Sequence, residues 1–258
     1  MSKPLILVVN DDGITANGIR NLINIMNDFG DVVVVAPDSP QSGKSHAITL
    51  ESPIKCEKVK IDDGSQIEYS CSGTPVDCVK LALNKLLERK PDLCVSGINH
   101  GSNSSINVIY SGTMSAATEG ALDGIPSIGF SLLDYSKNAD FSESVKFIKK
   151  ITAQVLKLEL NQTICLNVNI PKTSKLEKIK GIKVCRQANA NWVEEFEERL
   201  DPKGKPYYWM TGKFVNHDIG DDTDEWALVN HYISIVPIQF DVTSYSSLSS
   251  LKKLFINE

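Results

Sequence analysis

The stretch that decides the fold is residues 5–36, LILVVNDDGITANGIRNLINIMNDFGDVVVVA. It contains two apolar runs, at 5–10 and 31–36, which are typical of strands covered on both faces. Between them, apolar residues recur at helical spacing from Ile19 to Phe29, and Gly30 marks the end of that helix. Strand, helix and strand in this order predict a βαβ unit in a parallel sheet.

The rest of the first 172 residues continues this alternation. Asp62-Asp63-Gly64 predicts a hairpin turn, and Thr74-Pro75 predicts the capped start of a helix that runs to about Leu87. We therefore expect an α/β fold with a mainly parallel sheet. The remaining predicted elements are strands at 92–96, 125–130 and 163–170, and helices at about 112–123 and 141–158.

Beyond about residue 172 the alternation stops. Residues 180–216 predict a hairpin appendage, 231–238 a strand and 247–255 a short terminal helix. The aromatic residues of the appendage are typical of either a subunit interface or a cover for the core, and the sequence leaves both open. They are Trp192, Tyr207, Tyr208 and Trp209.

Composition narrows the function classes. The net charge of −5 argues against a protein dedicated to long nucleic acids, which would need clustered Lys and Arg, but not against a small phosphorylated ligand. The apolar run at 4–9 is too short for a signal peptide or a membrane span. The six cysteines include no C-x-x-C pair, so we expect buried free thiols and a cytoplasmic protein.

Polar loops follow three of the predicted strands. They are NDDG at 10–13, PDSPQSG at 37–43 and GINHGSN at 97–103. Because ligands of open α/β sheets bind beyond the carboxyl ends of the strands, these loops are expected to meet. Their oxygen ligands suit Mg²⁺, Mn²⁺ or Ca²⁺. The adjacent Asp11 and Asp12 repel each other unless a cation lies between them; alternatively, one caps the next helix and the other faces solvent.

A second candidate element is YSGTMSAA at 110–117, where a Ser-Gly-Thr turn opens a helix. Free backbone N–H groups and the positive end of a helix bind anions, although an ordinary helix cap gives the same pattern. A metal facing such a helix end is typical of phosphate-ester hydrolysis. Lys44 and His46 lie near the second loop, and we expect a solvated lysine and a hydrogen-bonded histidine rather than phosphate contacts.

Five stretches, together with a weaker match at 222–238, make the chain resemble the SurE family of stationary-phase survival proteins. The resemblance implies a Rossmann-like three-layer sandwich of one domain over 1–258. It further implies a core at about 1–172, and a protruding β-hairpin and an exchanged C-terminal segment within about 173–258. The stretches are VVNDDGITANGI (8–19), VVAPDSPQSGKSHAIT (34–49), SGTPVDCVKLAL (72–83), PDLCVSGINHGSN (91–103) and YSGTMSAATEGALDGIPSIGFS (110–131).

The same resemblance implies a role for individual residues. The metal ligands would be Asp11, Asp12, Ser42 and Asn99, holding one divalent cation per subunit, with Mg²⁺ or Mn²⁺ expected. The phosphate contacts would be Asn103, Ser111, Gly112 and Thr113. Gln41 stands where the family commonly has Arg, and Ser102 where it often has Pro, and neither is a predicted ligand.

The resulting hypothesis is a metal-dependent nucleotidase that hydrolyses nucleoside 5′- and 3′-monophosphates, forms a homodimer or homotetramer and binds no membrane. Asp11, Asp12 and Asn99 would be catalytic, with Asp11 either a general base or, in a rival mechanism, a nucleophile. A non-catalytic nucleotide or phosphate sensor that uses the same pocket is the alternative function. A metal-dependent transferase is a weaker third hypothesis.

Overall fold

A computed structural model describes residues 3–136, 138–158, 163–174 and 177–256. Within these residues, nine strands form one sheet in the order β3-β4-β2-β1-β5-β6-β7-β11-β8, and β9 and β10 form a separate hairpin. The strands are β1 Leu5–Val9, β2 Asp31–Pro37, β3 Cys56–Val59, β4 Ile67–Cys71, β5 Leu93–His100, β6 Ser127–Leu132, β7 Cys165–Ile170, β8 Gly181–Val184, β9 Ala190–Leu200, β10 Pro206–Asn216 and β11 Tyr232–Ile238.

Helices cover both faces of the sheet, so the predicted α/β fold with a mainly parallel sheet is confirmed. On one face α1 and α5 pack on the larger apolar cluster, and on the other α2 and α4 pack on the second. The helices are α1 Asn17–Met26, α2 Pro75–Leu81 with a π-helical turn Ala82–Leu86, α3 Asn107–Tyr110, α4 Gly112–Leu122, α5 Ser142–Val155, α6 Asp224–Val229 and α7 Tyr245–Ile256.

The order in which successive strands join the sheet reverses at β1. This strand pairs in parallel with β2 on one side and with β5 on the other, so successive crossovers leave it in opposite directions. Side chains from Ile6 to Val9 are fully buried, as the unbroken apolar run predicts. A switch of this kind opens a crevice at the carboxyl ends of the strands, where the loops after β1 and β5 lie next to each other.

The start of α2 follows the predicted capping pattern. The Thr74 hydroxyl accepts a hydrogen bond from the Asp77 backbone N–H, and the Asp77 carboxylate accepts one from the Thr74 backbone N–H. Such a reciprocal cap satisfies two N–H groups that the first turn leaves unpaired and is worth about 1 kcal/mol. The cap fixes the end of the segment that leads from β4 into α2.

Strand β5 is longer than the sequence predicts. The predicted strand stops at residue 96, whereas the observed strand continues to His100 after a shift of register between Ser96 and Asn99. Asn99 pairs with Ser131, so the predicted ligand lies on a strand and not in a loop. The prediction failed because Gly97, which has φ +124°, reads as a loop residue but here forms the irregularity within the strand.

The hairpin of β9 and β10, residues 190–216 and hereafter the arm, projects from the sheet. Trp192, Tyr207, Tyr208 and Trp209 are all at least 40% exposed, so the arm does not cover the core in this chain. Helix α7 likewise has no buried residue among those described. In the part of the chain that the structure describes, no helix has the length and apolar character to cross a membrane.

Candidate functional site

The loops after β1 and β2 are held together by backbone hydrogen bonds. The backbone N–H of Gln41 donates to the Asp11 carbonyl at 2.7 Å, and that of Ile14 donates to the Pro37 carbonyl at 2.8 Å. Ser42 therefore lies near Asp11, on a loop of residues 38–47 that we call the Ser42 loop. The predicted meeting of these loops is observed.

A cavity of about 200 Å³ lies where the ends of β1 and β5 meet the Ser42 loop and the start of α4. Five of the predicted site residues line it, and Asp12, Gly112 and Thr113 do not. The five are Asp11, Ser42, Asn99, Asn103 and Ser111. The other lining residues are Gly43, His100, Gly101, Ser102, Asn107, Tyr110 and Tyr135, none of which was predicted as a metal ligand or phosphate contact.

Size alone would select a different cavity. A groove of about 870 Å³ lies between α4 and the end of β11, and its walls include Met114, Ile238 and Phe240. None of the predicted site residues, all of which the structure describes, line this groove. Its lining is mainly apolar, whereas convergent polar groups mark the smaller cavity as the candidate for chemistry.

Asp11 is buried, with 4% of its surface exposed. Burial raises the pKa of its carboxyl group to about 6, against the opposing effect of a hydrogen bond from the Thr113 hydroxyl at 2.5 Å. Neither aspartate caps the following helix, because α1 begins after Ala16 with no side-chain cap. The alternative role as a helix cap is therefore wrong.

Asp12 and Asn10 each bury an oxygen atom with no partner. Among the described residues, Asp12 Oδ2 and Asn10 Oδ1 belong to the few buried side-chain atoms that make no hydrogen bond. Burial raises the pKa of Asp12, and the nearby His100 partly offsets this effect. A buried acceptor without a partner is costly, and a divalent cation would satisfy such oxygens.

The donor set therefore fits a hard divalent cation. It consists of carboxylates together with the hydroxyl of Ser42 and the amide of Asn99, all of which offer oxygen. The Asn99 amide N–H donates to the Gly101 carbonyl at 2.9 Å, so its oxygen is the atom left for a cation. No group of three or more His, Cys, Asp and Glu side chains converges in the described chain, which disfavours a zinc-type cluster.

The N-terminus of α4 lies against Asp11. Ser111 caps the helix, and its hydroxyl accepts from the Met114 backbone N–H at 3.0 Å. A side chain at Gly112 would place its Cβ 2.8 Å from Asp11 Cβ, so only glycine allows this approach. The resemblance implies a phosphate contact at Gly112. In the structure this glycine also makes room for a buried acid beside the positive end of a helix.

A network of buried amides holds Asn103. Its side-chain N–H donates to Ser131 Oγ, and its backbone N–H and carbonyl bond to the side chains of Asn169 and Asn167, each at 2.8 Å. This support for Asn103 was not predicted from the sequence. Two asparagines inside the apolar run CLNVNI at 165–170 were the signal, because a buried polar residue in a covered strand needs a partner.

His46 takes no part in the cavity. Its Nε2 lies 2.8 Å from Glu119 Oε2, and Lys80 binds the other oxygen of the same carboxylate. The expectation of a hydrogen-bonded histidine is met. Because Thr74 Oγ1 also donates to the Ala47 carbonyl at 2.7 Å, the far end of the Ser42 loop is fixed to the α2 region.

The family model described as "Survival protein SurE" matches residues 6–194. The chain belongs to the SurE family. The resemblance read from the five sequence stretches is therefore confirmed, and the SurE match contains all the predicted site residues.

Relatives of known name and structure cover the whole chain. A protein from Flavobacterium psychrophilum named "5'-nucleotidase SurE" is 62% identical over 258 residues, 100% of each chain. One of the same name from Christiangramia forsetii is 63% identical over 257 residues, covering 99% of this chain and 98% of that protein. The crystal structure of the SurE protein from Aquifex aeolicus superposes with a TM-score of 0.82 at 42% identity, covering 97% of this chain and 99% of that one.

Proposed function

We propose that this protein is a metal-dependent nucleotidase that hydrolyses nucleoside 5′-monophosphates, and also 3′-monophosphates, to nucleoside and phosphate. The observation that carries the proposal is a pair of adjacent acids near the N-terminus of α4. Asp11 is buried with its pKa raised to about 6, and Asp12 buries an oxygen that has no hydrogen-bond partner. The full-length relatives named 5′-nucleotidase support the same reaction.

Asp11, Asp12, Ser42 and Asn99 would hold one divalent cation, Mg²⁺ or Mn²⁺. When bound, such a cation polarises a phosphate ester and lowers the pKa of a water molecule beside it. The raised pKa of Asp11 supports this assignment, because burial makes its negative charge costly and a cation would remove that cost.

The protein's own groups would bind and orient the substrate phosphate. Backbone N–H groups at the start of α4, with Ser111 and Asn103, would donate to its oxygens. The Thr113 hydroxyl, bonded to Asp11 Oδ1, would fix the orientation of that carboxylate while the other oxygen faces the reaction. Asp11 would then accept a proton from the attacking water.

Aromatic side chains at the cavity favour a nucleotide over phosphate esters that lack a nucleobase. Tyr110 and Tyr135 line the cavity with 52% and 76% of their surfaces exposed. Exposed rings beside a phosphate site offer faces on which a nucleobase stacks. The −5 net charge argues against longer nucleic acids as substrates.

The test is release of phosphate from AMP and GMP with added Mn²⁺ or Mg²⁺, and its loss in EDTA. Asp11→Asn should lower kcat by roughly 10³-fold and Asn99→Ala by roughly 10²-fold. Asp63→Asn, the same chemical change at a side chain that is 97% exposed, should leave kcat unchanged. Full activity in EDTA or in Asp11→Asn refutes the site, and nucleotide binding with no phosphate release identifies a sensor.

The role of Asp11 has its own test. If Asp11 is the nucleophile, rapid quenching with ³²P-labelled substrate traps a phosphorylated protein, whereas a general base leaves the protein unlabelled. We expect no labelled protein. Trapped label that disappears in Asp11→Asn would assign the nucleophile instead.

We further propose a cytoplasmic homodimer or homotetramer. The exposed aromatic residues of the arm and the exposed α7 support self-association, because apolar surfaces of this kind mark interfaces. The free cysteines in the described chain support a reducing compartment. Light scattering coupled to gel filtration gives the mass in solution, and a monomer at micromolar concentration would refute the assembly.

A further inference from the structure

Three cysteines lie together at the edge of the sheet, and none of them lines the cavity of the candidate site. Cys56 is on β3, Cys71 ends β4 and Cys78 is on α2, and all three belong to one apolar cluster. In the antiparallel pairing of β3 with β4, Cys56 is the direct partner of Cys71. Residues paired in this way point to the same face of a sheet.

The hydrogen bonds define which kind of pair this is. The Cys71 carbonyl accepts from the Asp38 N–H at 2.7 Å, on the side of β2, and therefore points away from β3. The neighbouring Ser72 N–H instead donates to the Lys55 carbonyl on the β3 side, at 2.9 Å. Cys56 and Cys71 thus form a non-hydrogen-bonded pair, the closer type, with Cα atoms about 4.5 Å apart. That separation lies inside the range that a disulfide spans.

The surroundings shift the pKa values of the thiols in opposite directions. Interaction with the Cys78 thiol lowers the pKa of Cys71, whereas burial and the neighbouring Cys71 raise the pKa of Cys56 to about 12. Of the two paired thiols, Cys71 is therefore the one that loses its proton more easily. Cys56 is half-buried and Cys71 is buried, so Cys56 gives the pair its opening to solvent.

We propose that Cys56 and Cys71 are an oxidation site at which hydroperoxides form a cross-strand disulfide. A thiolate of the pair attacks the O–O bond, and the products are a sulfenic acid and, after protonation, an alcohol or water. The partner thiol attacks the sulfenic sulfur, the S–S bond forms, and the hydroxyl leaves as water with the thiol proton. Two electrons pass from the two sulfurs to the peroxide, and a cytosolic dithiol reverses the bond.

A disulfide between Cys56 and Cys71 would act on the segment that anchors the Ser42 loop. Asp38, at the start of the Ser42 loop, is bound to Cys71, and the Thr49 hydroxyl, just past the end of the loop, donates to Asp77 at 2.6 Å. The segment from Cys71 to Asp77 therefore fixes both ends of that loop. A Cys56–Cys71 bond would tie the four-residue edge strand β3 to this segment.

The experiment uses the full chain without added metal, so its outcome is independent of the proposed nucleotidase activity. The protein is treated with a slight excess of hydrogen peroxide, alkylated and digested with trypsin without reduction. We expect peptide 56–58 joined to peptide 61–80, with fragmentation placing the bond at Cys71 rather than Cys78. The buried Cys94 and Cys165 serve as internal controls and should stay reduced.

Variants separate the pair from general thiol oxidation. Cys56→Ser, at the half-buried position, should abolish the linked peptide, whereas Cys185→Ser should leave it unchanged. Oxidation should raise the Tm by roughly 5–10 °C, and dithiothreitol should reverse the rise. The bond would close the chain between Cys56 and Cys71 into a loop of about 15 residues, which restricts the unfolded chain. A bond between any other two cysteines, no bond at all, or a linked peptide that persists in Cys56→Ser overturns the proposal.

Discussion

Two buried carboxylates, Asp11 and Glu119, differ in their partners and not in their burial. Asp11 is 4% exposed and Glu119 is 3% exposed. Burial would raise the pKa of Glu119, but hydrogen bonds from His46 and Lys80 outweigh it and lower that pKa. Asp11 has only the Thr113 hydroxyl as a side-chain partner for its carboxylate among the described residues, and its pKa is raised to about 6. Burial with complete pairing indicates a structural ion pair, and burial with incomplete pairing indicates a place for a cation.

Removal of both partners of Glu119 should give the largest loss of stability. In His46→Ala/Lys80→Met the Glu119 carboxylate is buried without a cationic partner, as the Asp11 carboxylate is without a metal. We expect a loss of about 3–5 kcal/mol in the free energy of unfolding, the usual cost of an uncompensated buried charge. Urea unfolding at pH 8 measures it. Adding Glu119→Gln should restore part of the loss, and a double variant within about 1 kcal/mol of the parent would contradict the comparison.

A divalent cation bound by Asp11 should stabilise the folded protein. At a concentration 100 times its Kd, a cation that binds only the folded protein stabilises it by about 2.7 kcal/mol. We expect Mn²⁺ to raise the Tm of the natural protein and of Glu119→Gln, but not that of Asp11→Asn. Scanning calorimetry with and without EDTA measures the shift. An equal rise in Asp11→Asn would place the cation elsewhere.

Without metal, Asp11→Asn should increase the free energy of unfolding. Asn at position 11 keeps the oxygen that accepts from Thr113 but carries no charge into the buried site. We expect Asp11→Asn to be more stable than the parent at pH 8 in EDTA, by on the order of 1–2 kcal/mol. Urea unfolding gives the difference, with Asp63→Asn as the exposed control. A destabilised Asp11→Asn would show that the carboxylate is already compensated.

The two carboxylates should also differ in their effect with pH. Because the folded-state pKa of Glu119 lies below its ordinary value of 4.5, its pairing stabilises the protein fully above about pH 5. This stability is lost as the pH falls through the folded-state pKa, when the carboxylate is protonated. We expect the stability difference between the parent and Glu119→Gln to shrink as the pH falls below 4.5. A difference that grows in acid would reverse the sign of the shift.

Local features of the molecule could be predicted from the sequence, but the partners of Glu119 could not. The βαβ unit could be predicted from residues 5–36 because periodicity is a local property. The meeting of Asp11, Ser42 and Asn99 could be predicted because the carboxyl ends of the strands lie at one edge, although Asn99 lies on β5 and not in the predicted loop. The sequence around Glu119 carries no local signal of its burial or of its partners. Its partners, His46 and Lys80, lie 73 and 39 residues away, and only tertiary packing brings them together.

The site itself was partly predictable for the same reason. The ligand candidates are recognisable by residue type, whereas the orientation of each depends on distant contacts. Thr113 was predicted as a phosphate contact, yet its hydroxyl reaches across 102 residues to Asp11. Asn103 depends on Asn167 and Asn169 in a strand far along the chain. Residue chemistry is thus readable from sequence, and pairing is not.

The smallest effect concerns the half-exposed partner of Glu119. The Lys80 side chain is 49% exposed, so water screens its attraction to the carboxylate, and His46 still holds Glu119 when Lys80 is removed. We expect Lys80→Met to cost less than about 1 kcal/mol, as exposed ion pairs do. Lys146→Met breaks the exposed pair with Glu143 on α5 and should cost nothing measurable. Urea unfolding of both variants at low and high salt checks this, because the Lys80 effect should weaken with salt. A loss near 3 kcal/mol in Lys80→Met would mean that Lys80 alone compensates the buried charge and that His46 adds little.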